Sequence, residues 1–360
     1  MKKVRVLVID DSTFNRRSII SMLESSGEVD VVGSAADGEE GLKKSIELKP
    51  DVVTLDLEMP KMDGFTFLRL LLSRQPTSVI IISSNSQKQN VFKGLELGAL
   101  DFLAKPSRHI DPGMSAIRDE LLKKVLVVRQ LRRRAFKSGI GVAMGSAKRP
   151  PERAIRRRKS TGKTISPAKL KVVALGASTG GPSAITRILR ELKSEPVMAL
   201  LITVHMPAKF TKAFADRLNK LSRYNVEEAK QGMSIMPGTA FVAPGGKHMV
   251  AVPGRPWPKI KILDESGEAK YRPSVDLLFS SCSKVFGKNL TAFVLTGMGD
   301  DGKKGIKLVK EQGGTTIVES EDTAIVFGMP HEAFNTGAVD RKIPLDEIPA
   351  AIDALVSIRG

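Results

Sequence analysis

The stretch Val172-Val173-Ala174-Leu175-Gly176-Ala177-Ser178-Thr179-Gly180-Gly181-Pro182 decides how the larger part of this chain is read. An apolar run leads into a glycine-flanked serine, and Ser183 to Leu192 follows with helix-like spacing. The order is strand, sharp turn, helix. A serine at such a turn leaves the core with its hydroxyl exposed beside a helix N-terminus. The first free N–H groups of that helix face the same space and can stabilise an oxyanion. Pro182 suits a first helical position, where its missing N–H costs little. Taken alone, the hexapeptide also fits a phosphate-binding loop of an α/β domain. The residues that accompany it must decide.

Two further strand ends carry chemistry. Met198 to Val204 is an apolar run ending in His205-Met206-Pro207, and Thr291 to Leu295 ends in Thr296-Gly297-Met298-Gly299-Asp300-Asp301-Gly302. A doubly wound sheet gathers its strand ends along one edge. Ser178, His205 and an aspartate at 300 or 301 therefore meet there. Serine needs a base to act as a nucleophile at neutral pH, and a carboxylate fixes the tautomer of a histidine base. Of the four histidines, His109 follows an earlier strand, His248 is read into a turn beside Gly245-Gly246, and His331 follows Pro330. Only His205 ends a buried strand.

The N-terminal part alternates strand and helix. Val4–Ile9, Val29–Ser34, Val52–Leu55, Val79–Ile82 and Phe102–Ala104 read as strands with helical stretches between them, which predicts a second doubly wound parallel sheet. Asp10, Asp11, Asp56, Ser83 and Lys105 fall at its strand ends. Three carboxylates placed together repel one another and call for a hard divalent cation, Mg²⁺. Asp56 can then take a phosphoryl group as an acyl phosphate. The cation and the Lys105 ammonium neutralise the added charge, and the Ser83 hydroxyl donates to a phosphoryl oxygen.

The formal net charge of +18 is concentrated in one place. Between Arg129 and Lys163 there are thirteen basic residues and a single acid, Glu152. Large apolar side chains are sparse there, so residues 126–168 read as an extended, self-repelling linker between domains at 1–125 and 169–360. Its sharper alternatives are docking on an acidic surface or weak nucleic-acid binding. With Phe136 as its only aromatic residue, base stacking is disfavoured and no specific nucleic acid is expected. Cys282 is the only cysteine, which excludes an intramolecular disulfide and suits a reducing compartment. The apolar run after Met1-Lys2-Lys3 stops at Asp10-Asp11, too soon for a signal peptide. No apolar stretch approaches the roughly 20 residues of a membrane span. A cytoplasmic chain is expected.

Val8-Ile9-Asp10-Asp11-Ser12, Leu55-Asp56-Leu57-Glu58-Met59-Pro60, Met62-Asp63-Gly64, Ser83 and Lys105-Pro106 together resemble the receiver domain of two-component response regulators. The resemblance implies Asp56 as phosphoacceptor, Asp11 as a metal ligand with Asp10 nearby, the Glu58 carbonyl as a further ligand, and Phe102 as a switch aromatic. Gly176 to Gly181, His205-Met206-Pro207, Ala243-Pro244-Gly245-Gly246, Pro273-Ser274-Val275-Asp276 and Leu295 to Gly302 resemble the chemotaxis methylesterase family, CheB. That family's G-M-G-x-D-G pattern assigns the triad carboxylate to Asp301 and makes Asp300 the variable position. Its oxyanion donors map to the backbone N–H groups of Met298 and Thr179. The Ser, His, Asp chain order departs from that of α/β-hydrolases.

The resemblance implies hydrolysis of glutamyl methyl esters on chemoreceptors (methyl-accepting chemotaxis proteins) and deamidation of receptor glutamines. It also implies a CheA-type histidine kinase as phosphodonor, no cofactor for the esterase chemistry, and membrane contact only through receptors. The receiver is expected to cover the catalytic edge at rest and to release it on phosphorylation. The competing class is a response regulator whose output domain only binds, through the linker, to nucleic acid. The complete Ser/His/Asp set and the lack of a helix-turn-helix pattern after residue 125 speak against it.

Overall fold

A computed structural model describes residues 2–83, 88–105, 114–129, 165–264 and 269–357. Pro106, His109 and the linker residues 130–164 lie outside the described residues. The chain divides into two compact units, Met1–Pro150 and Pro151–Gly360.

In the first unit β1 (Val4–Ile9), α1 (Thr13–Glu24), β2 (Val29–Ala35), α2 (Gly38–Leu48), β3 (Val52–Leu55), α3 (Gly64–Arg74), β4 (Ser78–Ser83), α4 (Lys88–Glu96), β5 (Asp101–Ala104) and α5 (Met114–Leu126) alternate. The sheet is parallel with order β2-β1-β3-β4-β5. Its central strands are buried on both faces, which is why they read as mostly apolar runs rather than alternating ones. Helix starts are fixed by side-chain caps. Asp37 Oδ1 accepts from Glu40 N at 2.9 Å and Asp63 Oδ1 from Phe65 N at 2.8 Å. The strand order reverses at β1, so Asp10 and Asp56 flank the crevice where such folds bind ligands.

The second unit contains β6 (Val172–Ala177), α6 (Gly181–Glu191), β7 (Ala199–Val204), α7 (Thr211–Leu221), β8 (Asn225–Glu228), β9 (Thr239–Val242), β10 (His248–Val252), β11 (Lys259–Leu263), α8 (Val275–Phe286), β12 (Leu290–Val294), α9 (Lys303–Glu311), β13 (Thr315–Glu319), α10 (Met329–Phe334), β14 (Arg341–Ile343) and α11 (Ile348–Ser357). Seven parallel strands run β14-β13-β12-β6-β7-β9-β8, with β10 and β11 forming a separate antiparallel pair. The order reverses between β6 and β12, so Ser178 and the loop bearing Asp301 leave the sheet on either side of the switch point. The core includes Leu278, Phe279, Cys282 and Phe286 of α8, with Val172, Ala174 and Val294 of the sheet. Both units are therefore doubly wound parallel sheets, flavodoxin-like in the first and Rossmann-like in the second.

Strands β8 and β14 were not legible as strands. Each holds one buried apolar residue among charged or polar neighbours, Val226 and Ile343, because each closes an edge of the sheet. His248 is not in a turn: it opens β10 and is fully buried.

Helix α5 is tied to β5 by a buried ion pair in which Lys124 Nζ donates to Asp101 Oδ2 at 2.5 Å. Breaking such a pair strands a charge in the interior. Lys124→Ala is expected to lower the free energy of the receiver's unfolding transition by about 3 kcal/mol in urea titration, and a loss below about 1 kcal/mol would contradict this packing.

Candidate active site and phosphorylation site

Ser178 follows the last residue of β6, and His205 follows the last residue of β7, the neighbouring strand. Register joins them: Ala177 pairs with Val204, and the His205 N–H donates to the Ala177 carbonyl at 3.2 Å. The Ser178 turn is clamped to β12. Ser178 N–H donates to the Thr296 carbonyl at 3.0 Å, and Thr296 Oγ1 donates to the Thr179 carbonyl at 2.9 Å. Thr296 N–H donates in turn to the buried Glu319 carboxylate at 2.8 Å. Gly297 must be glycine, since a Cβ there would lie 2.8 Å from Ser178 Cβ. Among the described residues, the N–H groups of Ser178 and Gly297 are spent on carbonyls, while those of Thr179 and Met298 are not. These last two therefore remain available to an incoming oxygen.

Asp301 is buried and has four donors. His205 Nε2 and the Val275 N–H reach Oδ2, each at 2.8 Å; Asp276 N–H at 2.9 Å and Ser274 Oγ at 3.1 Å reach Oδ1. Ser274 is the N-cap of α8, so the carboxylate sits on that helix's N-terminus. Burial pushes the Asp301 carboxyl up, but the His205 hydrogen bond and the helix N–H groups outweigh it and hold it below the usual aspartate range. A return contact locks the arrangement. The Asp276 carboxylate accepts from Gly305 N–H in the first turn of α9 at 2.6 Å. Burial, with the Asp301 charge adding to it, pushes Asp276 up to about 6 against that hydrogen bond. Asp300, by contrast, is exposed and accepts from Tyr271 Oη at 2.9 Å and Lys270 Nζ at 3.2 Å. The Tyr271 ring lies flat on His205, with centroids 4.8 Å apart and planes 5° from parallel.

Sequence reasoning did not assign roles to Thr296, Glu319, Asp276 or Tyr271. A signal existed for the first two, polar residues directly at the ends of apolar strands. Asp276 stands in the sequence only as the last residue of the Pro273-Ser274-Val275-Asp276 stretch. Nothing in the pattern around Tyr271 announces a stacked imidazole.

In the receiver, three carboxylate oxygens, one each from Asp10, Asp11 and Asp56, lie within 4.8 Å of one another. Asp10 and Asp56 are buried and Asp11 is exposed. Lys105 Nζ pairs with Asp56 and lies 3.1 Å from Asp10 Oδ2, an oxygen that accepts no hydrogen bond among the described residues. Burial pushes Asp56 up to about 6, with Asp10 adding to it and Lys105 opposing. An all-oxygen donor set with an unsatisfied buried acceptor fits a hard divalent cation. Glu58 N–H donates to Asp56 Oδ1 at 3.3 Å, which brings the Glu58 backbone to the same site. Ser83 is buried at the end of β4. Phe102, in β5, is buried with its ring edge-on to Phe92 at 6.1 Å.

Residues 173–352 match the CheB methylesterase family, and residues 6–113 match the response regulator receiver domain. The chain belongs to the CheB methylesterase family. A Geobacter sulfurreducens protein named protein-glutamate methylesterase/protein-glutamine glutaminase 3 is 47% identical, over 98% of this chain and 97% of that one. A Myxococcus xanthus protein named protein-glutamate methylesterase/protein-glutamine glutaminase 1 is 48% identical, over 99% of this chain and 98% of its own length. The crystal structure of the Thermotoga maritima CheB methylesterase catalytic domain superposes with a TM-score of 0.50 at 34% identity, covering 52% of this chain and 98% of that one. Among the described residues no helix is long and apolar enough to cross a membrane.

The crowded receiver carboxylates predict a metal-dependent stability. Without metal, Asp56→Asn removes one of three mutually repelling charges and is expected to raise the receiver's unfolding free energy by about 1–2 kcal/mol. Added Mg²⁺ should then stabilise the wild type but not the variant, read from urea midpoints with and without the ion. Equal Mg²⁺ responses would remove Asp56 from the site.

Proposed function

We propose that Ser178 is the nucleophile, His205 its base and Asp301 the carboxylate that holds the base. The chain is a protein-glutamate methylesterase and protein-glutamine glutaminase under the control of a phosphorylated receiver; its substrates are chemoreceptors and its phosphodonor is a kinase. The observation that carries the residue assignment is the 2.8 Å contact between His205 Nε2 and the helix-bound Asp301, one strand away from Ser178.

With Nε2 held by Asp301, Nδ1 is the ring nitrogen left to take the Ser178 proton. Ser178 Oγ attacks the ester carbonyl carbon, and the carbonyl oxygen gains negative charge beside the N–H groups of Met298 and Thr179. His205 passes the proton to the methoxy oxygen as the C–O bond breaks, and methanol leaves. Water, deprotonated by His205, then attacks the acyl-enzyme; the proton returns to Ser178 and glutamate is released. With glutamine as substrate, ammonia leaves in place of methanol. Asp301 remains ionised throughout and stabilises the imidazolium.

In the receiver, Asp56 accepts the phosphoryl group from a CheA-type kinase. Asp10, Asp11, Asp56 and the Glu58 carbonyl would hold Mg²⁺, which neutralises phosphoryl charge when bound. Lys105 supplies a second cation and Ser83 a hydrogen-bond donor to the phosphoryl oxygens, while Phe102 responds through its packing in β5. In this reading the receiver spans 1–125, the linker 126–168 and the catalytic domain 169–360. No cofactor takes part in the ester chemistry, and the chain acts in the cytoplasm.

Methanol release from methylated receptor membranes tests the assignment. Ser178→Ala should abolish it in a folded protein, and Asp301→Asn should cost roughly a thousandfold in kcat. Asp300→Asn should cost less than about tenfold, since Asp300 touches Tyr271 and not the base. Greater damage from Asp300→Asn would reverse the assignment of the two aspartates. Acetyl phosphate with Mg²⁺ should raise the wild-type rate and leave Asp56→Asn at its basal rate.

A further inference from the structure

We propose that Tyr271 is a positioning residue for the esterase reaction, holding the His205 ring in the plane from which it serves Ser178. The inference rests on the reading of Ser178 and His205 given above.

One hydrogen bond does not fix an imidazole. With only Nε2 anchored on Asp301, the ring can still rock about the line from Cβ to that contact. The Tyr271 ring removes this freedom on one face by lying 5° from parallel at a centroid distance of 4.8 Å. Tyr271 is itself held from outside. Its hydroxyl donates to Asp300 Oδ1 at 2.9 Å, and Lys270 both contacts Asp300 at 3.2 Å and sits 5.0 Å over the Tyr271 ring. The hydroxyl also rests on the backbone of the turn that carries Met298 and Asp301. A Cβ on Gly299 would come within 2.3 Å of it, and Gly299 has φ +96°. The stack thus ties the base to the same turn that supplies its carboxylate and an oxyanion donor.

The chemistry suits the reaction as well as the geometry. When His205 takes the Ser178 proton, it becomes a cation against the electron-rich face of a phenol ring, an arrangement that favours the charged form. The ring also covers one face of the imidazole against water. Burial pushes the Tyr271 hydroxyl above its ordinary range, so it stays a donor to Asp300 and does not act as a second base. A residue that only filled space would stabilise the fold without affecting the reactivity of Ser178.

The test uses the full chain and a small fluorophosphonate ester, which reacts covalently at an activated serine, followed by intact mass. Methanol release gives kcat and KM alongside. Tyr271→Leu should slow phosphonylation of Ser178 and lower kcat by about thirtyfold with KM within twofold, whereas Tyr271→Phe, which keeps the ring but loses the hydrogen bond to Asp300, should lose about fivefold in phosphonylation and kcat. Asp300→Ala, an exposed change that frees the tyrosine hydroxyl, should lower kcat by about fivefold at unchanged KM and serves if Tyr271→Leu fails to fold. Equal phosphonylation rates for wild type and Tyr271→Leu would overturn the inference, as would a Tyr271→Phe as slow as Tyr271→Leu. An Asp300→Ala with wild-type kcat would do the same. A wild type that is not labelled at Ser178 would instead overturn the nucleophile assignment.

Discussion

Asp301 has to be ionised in a place where water cannot reach it, and the catalytic unit is built around that requirement. Burial alone would push its proton on, leaving a neutral carboxyl that cannot steady an imidazolium. Four donors prevent this: the His205 ring, the Ser274 hydroxyl and two N–H groups of the first turn of α8. A helix N-terminus is the inexpensive way to supply them, because those N–H groups have no partner within the helix. Helix α8 can approach closely only because Gly176 has no side chain; a Cβ there would lie 2.3 Å from Val275 Cγ1. Asp276, in the first turn of α8, then serves α9 as Asp301, in the loop before α9, serves α8. The dependence runs from a glycine in β6, to the placing of a helix, to the charge state of a carboxylate, to the position of the His205 ring that the carboxylate holds.

The receiver solves the converse problem. There, charge is gathered and left partly uncompensated. Asp10 and Asp56 are both buried at the strand-order reversal, Asp11 stands beside them, and Lys105 is the cation they share. Such a site is costly when empty and gains most from a ligand that brings cationic charge, which makes its energy responsive to metal and phosphoryl group. The Asp301 carboxylate is satisfied and fixed. The receiver carboxylates are crowded around the single cation of Lys105. Both occupy the carboxyl ends of parallel strands at a switch point, the same architecture serving opposite ends.

The fold was legible because parallel strands buried on both faces cannot hide in sequence. Val172–Leu175 is apolar throughout, and Val4–Ile9, Val52–Leu55 and Met198–Val204 are each broken by one polar residue, Arg5, Thr54 and Thr203. What failed was edge structure: Asn225–Glu228 and Arg341–Ile343 are paired on one side only, and their charged residues mask the strand. Ser178, His205 and Asp301 were legible as candidates because each directly follows or closely trails an apolar run. The second layer of the site could not. Thr296 and Glu319 act through backbone groups, and a hydrogen bond to a main-chain N–H leaves no spacing rule. Tyr271 reaches His205 from a loop 66 positions along the chain, as their numbers show, and no local pattern encodes such a meeting. His248 was misplaced for a related reason: glycines mark the turn but not the residue at which the next strand begins.

The most direct measurement is a crystal structure of the chain after reaction with a phosphonate ester that mimics the tetrahedral intermediate. The account predicts phosphorus bonded to Ser178 Oγ and His205 Nε2 still on Asp301. A phosphonyl oxygen should lie about 2.7–3.1 Å from the N–H groups of Met298 and Thr179, the range expected of oxyanion donors. An adduct on another residue, or one whose oxygen points away from both N–H groups, would contradict it.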